Sequence, residues 1–351
     1  MVVEDHDLTK RRQVTLRGKV IIGILSIVFI VIISAFLAWS SYQRGISGAI
    51  KGSVVNLLIK SGDNYSIVGR ELAGLGVIRS SFYFDIYLKL NAPPSLLPGE
   101  YTFHKNESAK AVISVFRGGA NEYRLTIIPG MTVAQIAHQV AKIPGHSLKS
   151  FDKALSKGNF KSPFLPPGST NLEGLLSPNT YFVLPNEPDS QLIQEMLDET
   201  TKVASQAGLS PSTRFDSISA YQVLIVASLI QREALLSGDY AKVARVIYNR
   251  LAIPMNLQFD STVLYGLGLT GGSPTYQQLK MATRYNTYLN PGLPPTPISA
   301  PGESAIHAAL NPASGPWIYF VTVSSNGAEA FSTTYSQQLA NEALAGQRGL
   351  G

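Results

Sequence analysis

The 351-residue chain contains no cysteine, few charged residues and only five histidines. The absence of cysteine excludes disulfides, thiolate metal sites, iron–sulfur clusters, a thiol nucleophile and a lipidated N-terminal anchor. The histidines lie far apart without an H-E-x-x-H motif, and no G-x-S-x-G nucleophile elbow is present. A zinc hydrolase and a typical serine hydrolase are therefore disfavoured, and we expect neither a metal nor another cofactor.

Charged side chains make up 15% of the chain and apolar ones 45%. This balance excludes an intrinsically disordered chain, which would be poor in apolar residues. The net charge is +6, but five of the 29 basic residues lie within the first 19 positions and the others are spread thinly. Because nucleic-acid binding requires a clustered basic surface, we expect no nucleic-acid partner.

One long apolar run, residues 20–39, lies near the N-terminus and contains no charged residue. At about 1.5 Å per residue it spans about 30 Å, the thickness of a bilayer hydrocarbon core. A cleaved signal peptide is the alternative, but its apolar region is shorter and ends in a small-residue site. Because the basic cluster precedes the run, the positive-inside rule predicts a cytoplasmic N-terminus and an extracytoplasmic body on the plasma (inner) membrane of a bacterium.

The chain therefore divides into a membrane-proximal part and two further regions. The predicted boundaries are a cytoplasmic tail at 1–19, a transmembrane helix at 20–40, a linker at 41–53, an α/β region at 54–160 and a last domain at 161–345. The α/β region has a weak internal repeat, because residues 57–62 and 125–130 are each a short apolar strand that ends in Gly and precedes helical spacing. Such a unit resembles the small sugar-binding LysM module, and two ordinary α/β units are the alternative.

The last domain has the pattern of a mixed α+β fold. The apolar segment at 216–230 predicts a buried helix capped by Asp216 or Ser217. Alternating residues at 255–260 predict a half-exposed strand. The remaining predicted elements are a β-hairpin at 317–323 and 328–332 and helices at 239–251 and from Tyr335.

Glu233 is the most informative acidic residue, because it ends the apolar helix. Leu229 and Ile230 lie four and three positions before it, so it extends the buried face of that helix. Burial disfavours the charged carboxylate and raises its pKa, which suits a general acid. A salt bridge to Arg245 or Arg250 is the alternative.

Two further acids and one aromatic segment have distinctive surroundings. Glu173 and Asp260 are candidates to orient a site, although Asp260 also has the position of a helix N-cap. The Tyr285-Asn286-Thr287-Tyr288 segment combines rings that stack on sugars with amides that bind hydroxyl and acetamido groups. A packed aromatic cluster is the alternative.

Six stretches, in this order and spacing, resemble the endolytic murein transglycosylase (YceG-like) family over roughly residues 54–340. They are residues 172–181, 227–233, 243–251, 255–265, 285–295 and 319–321. The chain departs from the family pattern at Gln231, where a second Glu is common, at Asn179, where Asp is common, and at Glu329, where many members have His.

The resemblance implies an anchored α+β lyase with LysM-like and catalytic portions. It implies cleavage of the β-1,4 bond between N-acetylmuramic acid and N-acetylglucosamine in nascent peptidoglycan, with 1,6-anhydro ends that terminate polymerisation. Glu233 takes the catalytic position, and the expected substrate-binding residues are Glu173, Asn249, Arg250, Gln258, Asp260, Tyr285, Asn286, Thr287 and Tyr288. Glycan strands, the membrane and peptidoglycan synthases are the expected partners. A muramidase-type hydrolase, which needs a second carboxyl group, and an inert glycan-binding scaffold are the alternatives.

Overall fold

A computed structural model describes residues 16–60, 62–185 and 187–350. Most of the predicted cytoplasmic tail, residues 1–15, lies outside the described residues. The chain forms two compact units, Met1–Asn121 and Glu122–Gly351. The division falls before the boundary predicted at residue 160, so the two halves of the predicted repeat belong to different units.

Helix α1, Leu16–Ile46, contains the predicted transmembrane segment and extends six residues beyond its expected end at residue 40. Its portion Lys19–Ile46 has a mean hydropathy of 3.2 and is the one helix in the described part of the chain that is long and apolar enough to span a bilayer. Its apolar side chains, such as Phe29 and Phe36, are exposed. These properties are compatible with a membrane anchor.

The rest of the first unit is a small α/β body. Its elements are β1 (Val54–Ile59), α2 (Tyr65–Gly74), α3 (Ser81–Leu90), β2 (Gly99–His104) and α4 (Ala109–Gly118). Strands β1 and β2 pair in antiparallel register, with Leu57 opposite Tyr101. The Phe116 ring lies 5.1 Å from Tyr101 and 5.4 Å from Phe103 in the core beneath this ribbon.

The second unit is a larger mixed α/β domain. Its first elements are β3 (Tyr123–Ile127), α5 (Val133–Val140), α6 (Leu148–Lys157), β4 (Asn179–Val183), α7 (Asp189–Gln206), β5 (Arg214–Phe215) and β6 (Ile218–Ser219). Its later elements are α8 (Ala220–Glu233), α9 (Tyr240–Leu251), α10 (Asp260–Gly266), α11 (Glu303–Leu310), β7 (Tyr319–Thr322), β8 (Glu329–Ser332) and α12 (Tyr335–Gln347). Each sheet among the described residues is a two-stranded antiparallel ribbon, as in β3 with β4 and in the predicted hairpin of β7 with β8.

Helix α8 forms the centre of the second unit. Residues 223–230 are all buried, which confirms the predicted buried helix. Its N-cap is Ser219, whose side chain accepts a hydrogen bond from the Gln222 N–H in a capping box. The predicted cap at Asp216 or Ser217 is wrong, because these two residues form the tight turn between β5 and β6 with φ of 44° and 65°.

The strand predicted at 255–260 is also wrong. The chain before α10 is irregular, and Gln258 has a φ of 54°. Its backbone is satisfied by a distant loop, because the Gln258 N–H donates to the Thr287 carbonyl at 3.1 Å and the Phe259 N–H donates to Thr287 Oγ1 at 3.0 Å. These contacts replace the ladder of a neighbouring strand.

Candidate active site

Glu233 is the last residue of α8 and is half-buried. The helix ends there because the following residue, Ala234, has an extended conformation. Ser261, in the first turn of α10, donates a hydrogen bond from its hydroxyl to Glu233 Oε1. Two helix ends therefore meet at this carboxyl group, and α10 fixes one of its oxygens.

The surroundings of Glu233 favour its protonated form. Burial, with a smaller contribution from the nearby Asp260 carboxylate, raises its pKa to about 7. The Ser261 hydrogen bond and the positive charges of Arg250 and Arg232 act in the opposite direction. A substantial fraction of the group is therefore protonated near neutral pH, which is the state that a general acid requires.

The two arginines considered as salt-bridge partners have other contacts. Arg250 is buried and donates to the carbonyl oxygens of Ile318, at 2.7 Å, and Leu257. Arg245 Nε donates to the Ala313 carbonyl. Among the described residues, no ion pair within 4.0 Å joins Glu233 to either guanidinium group.

Asp260 and Tyr288 lie next to this centre. The Tyr288 hydroxyl donates to Asp260 Oδ1 at 2.7 Å. Asp260 is the first residue of α10 and Phe259 occupies the N-cap position, so the capping alternative for Asp260 is wrong. The Asp260 charge instead raises the pKa of Glu233, and burial together with Asp260 raises the pKa of the Tyr288 hydroxyl.

Glu173 forms a second carboxyl site, in the loop before β4, and it contacts the same short helix α10 through Tyr265. It is only 6% exposed, and its oxygens accept hydrogen bonds from the Val133 N–H at 3.1 and 3.3 Å and from the Tyr265 hydroxyl at 3.0 Å. Burial raises its pKa to about 7. Because Ser261 and Tyr265 are four positions apart, one face of α10 contacts both Glu233 and Glu173.

Some of the other predicted binding residues are buried or donate to backbone carbonyls, and others have more accessible side chains. Asn286 is fully buried and donates to the carbonyls of Leu279 and Met281, each at 2.9 Å. Asn249 donates to the carbonyls of Gly315 and Trp317. Thr287 is buried, Gln258 is exposed, and the half-buried Tyr285 has its hydroxyl 3.0 Å from Thr296 Oγ1.

A cavity of about 400 Å³ opens beside Glu233. It is lined by residues from the end of α8 and from the β7–β8 hairpin, among them Arg232, Glu233, Thr322, Ser324 and Glu329. A larger cavity, of about 780 Å³, lies at the other end of α8 around Tyr221 and Pro294 and does not include Glu233.

Two further residues, Ser261 and Glu329, lie close to Glu233, and neither is among the predicted site residues. The hydroxyl of Ser261, directly after the candidate acid Asp260, was the available signal for the first. Glu329 is a departure from the family pattern in the sequence, and the β7–β8 hairpin places it in the cavity that Glu233 lines.

A mixed α/β domain with a half-buried acid beside a cavity is compatible with an enzyme that uses one general acid. The chain belongs to the YceG-like family, whose model matches residues 57–343.

Named relatives agree with this assignment. The chain is 32% identical to an endolytic murein transglycosylase of Bacillus subtilis (strain 168), over 88% of this chain and 89% of that protein. It is 28% identical to an endolytic murein transglycosylase of Streptococcus pneumoniae (strain D39), over 76% of this chain and 54% of that protein. It also resembles the crystal structure of a yceG-like protein from Listeria monocytogenes, with a TM-score of 0.55 and 29% identity over 82% of this chain and 99% of that one.

Proposed function

We propose that the protein is an endolytic murein transglycosylase. It cleaves the β-1,4 bond between N-acetylmuramic acid and N-acetylglucosamine within nascent glycan strands and leaves a 1,6-anhydro end, which terminates polymerisation. The observation that carries the proposal is a half-buried Glu233 with a pKa of about 7 beside a cavity, in a chain of the YceG-like family.

One carboxyl group is sufficient for this reaction. Protonated Glu233 gives its proton to the glycosidic oxygen as the bond to C1 breaks. The resulting carboxylate then takes the proton of the C6 hydroxyl of the same muramyl unit, whose oxygen forms the new bond to C1. Ser261 holds one Glu233 oxygen while the other acts, and Asp260 helps to keep the group protonated.

A hydrolase would instead need a second carboxyl group to activate water or attack C1. Asp260 accepts a hydrogen bond from Tyr288, and both oxygens of Glu173 accept hydrogen bonds from Val133 or Tyr265. These contacts favour orienting roles for both acids and support the one-carboxyl scheme.

The side chains that remain accessible to solvent are the ones that we expect to contact the glycan. Asp260, Gln258, Tyr285 and Tyr288 contact the sugars. The amides of Asn249 and Asn286, with Thr287 and Arg250, hold the surrounding loops in place, since their donors already bind backbone carbonyls or their side chains are buried.

The proposal also assigns roles to helix α1 and to the rest of the first unit. Helix α1 anchors the chain in the plasma membrane with its N-terminus in the cytoplasm, because the basic residues precede the apolar run. The first unit has a LysM-like role in holding glycan, which its two helices between antiparallel strands support. Peptidoglycan synthases supply the nascent strands.

Mass spectrometry of products from uncrosslinked nascent glycan tests the proposal, with wild type beside Glu233→Gln. We expect 1,6-anhydro ends from the wild type and almost no product from the variant. Reducing sugar ends would indicate a hydrolase. Cleavage by Glu233→Gln at the normal rate would remove Glu233 from the mechanism, and no cleavage by the wild type would indicate a binding scaffold.

A further inference from the structure

Glu329, the first residue of strand β8, has a carboxyl group that the proposed reaction does not use. Its Oε1 accepts a hydrogen bond from Thr322 Oγ1 at 2.9 Å. Its Oε2 is buried and has no hydrogen-bond partner among the residues that the structure describes. Because buried polar atoms are nearly always paired, an unpaired carboxyl oxygen indicates a partner that comes from outside the chain.

The position of Glu329 indicates that this partner is a molecule bound in the cavity next to Glu233. The side chain lines the same cavity as Glu233. Arg232 also lines this cavity, but its Nη1 donates to the Gly130 carbonyl at 3.4 Å. Asp239 lies on the other side of Glu329, where its Oδ2 accepts a hydrogen bond from the Glu329 N–H at 3.1 Å. Glu329 and Glu233 therefore line one cavity, and a molecule bound there lies next to both side chains.

The acceptor is suited to a neutral donor. Burial and the charge of Asp239 raise the pKa of Glu329, while the Thr322 hydrogen bond lowers it. A carboxyl oxygen accepts a hydrogen bond from N–H or O–H in either protonation state. Amino sugars carry both kinds of donor, in their acetamido and hydroxyl groups.

We infer that Glu329 Oε2 binds an acetamido N–H or a hydroxyl group of the glycan, on a sugar beside the bond that Glu233 cleaves. This inference rests on the proposed function, because the glycan is the ligand. Glu329 takes no part in proton transfer, and it fixes the position of the strand relative to Glu233.

Binding is measured without cleavage in the Glu233→Gln background. Isothermal titration with uncrosslinked glycan strands gives the Kd of that variant and of Glu233→Gln/Glu329→Gln. We expect the Kd to rise about tenfold on loss of the acceptor. With Glu233 intact, Glu329→Gln raises KM and changes kcat by less than about twofold, because the contact is made before the reaction as well as during it. Glu303→Gln, an exposed acid on α11, is the matched control and leaves both constants unchanged.

Thermal unfolding distinguishes a binding role from a structural one. Glu329→Gln keeps an acceptor for the Thr322 hydroxyl and removes a partly buried charge next to Asp239, so it leaves Tm unchanged or raises it. A lower Tm in this variant, or an unchanged Kd, overturns the inference about Glu329. If the wild type cleaves strands normally in that case, the proposed function stands, whereas a wild type that neither binds nor cleaves them overturns both.

Discussion

Two carboxyl groups contact the same face of α10, and their surroundings differ. Burial raises the pKa of each to about 7. Glu173 is nearly inaccessible, and both of its oxygens already have donors in Val133 and Tyr265. Glu233 is half-buried and lines a cavity, with Ser261 on one oxygen. A raised pKa is thus shared by the acid that we propose to react and by one with internal hydrogen bonds, and access to a cavity separates them.

Replacing each carboxyl group by an amide gives the largest contrast between the two sites. We expect Glu233→Gln to lower kcat by roughly 10²–10⁴-fold, because an amide cannot deliver the proton. Glu173→Gln lowers kcat by less than about tenfold, because this side chain acts only through the position of α10. Turnover of nascent strands measures both effects. Equal losses in the two variants would mean that both acids take part in the reaction.

The pH dependence of stability provides a second contrast. The folded-state pKa of Glu173, about 7, lies above its unfolded value of 4.5. Its stabilising contribution is therefore present below about pH 4.5 and is lost as the pH rises to about 7, which amounts to on the order of 3 kcal/mol. We expect Glu173→Gln to flatten this decline in urea unfolding between pH 4 and 8. Glu233 contributes a decline of the same sign, so a residual slope remains in this variant and becomes smaller in the double Gln variant. An unchanged slope in Glu173→Gln would show that its pKa is not raised.

The smallest expected effects are shifts of the alkaline limb of kcat/KM, which reports deprotonation of Glu233 near pH 7. Ser261→Ala removes a hydrogen bond that lowers the Glu233 pKa, so the limb moves to higher pH. Asp260→Asn removes a negative charge that raises this pKa, so the limb moves to lower pH. Each shift is about one pH unit or less. Ser304→Ala, on an exposed part of α11, is the control, and shifts of the same sign in both test variants would contradict this electrostatic arrangement.

The apolar run and the helical spacing of the sequence predicted the elements whose structure depends on neighbouring residues. The apolar run placed α8, and helical spacing placed Glu233 on its buried face. The β7–β8 hairpin and helices α9 and α12 also follow from short-range signals.

The segment before α10 and the partners of several side chains depend on residues far away in the sequence, so short-range patterns did not predict them. The segment before α10 alternates like a strand, yet Thr287 and Arg250 bind its backbone and Gln258 takes a left-handed conformation. The amides of Asn249 and Asn286 suit a sugar by residue type alone, and only the fold shows that they donate to backbone carbonyls. The Ser261 contact with Glu233 likewise requires α8 and α10 to meet.

Helix α1 is longer than the lipid interior is thick. The 28 residues of Lys19–Ile46 measure about 42 Å as an α-helix, whereas the lipid interior takes up about 30 Å. As the proposed membrane anchor, an upright helix therefore has roughly two turns to spare, and Tyr42 in this excess length packs against Tyr83 of α3 with ring centroids 6.3 Å apart. Removing one turn would leave a helix long enough for the proposed anchor and would bring the rest of the first unit closer to the lipid headgroups.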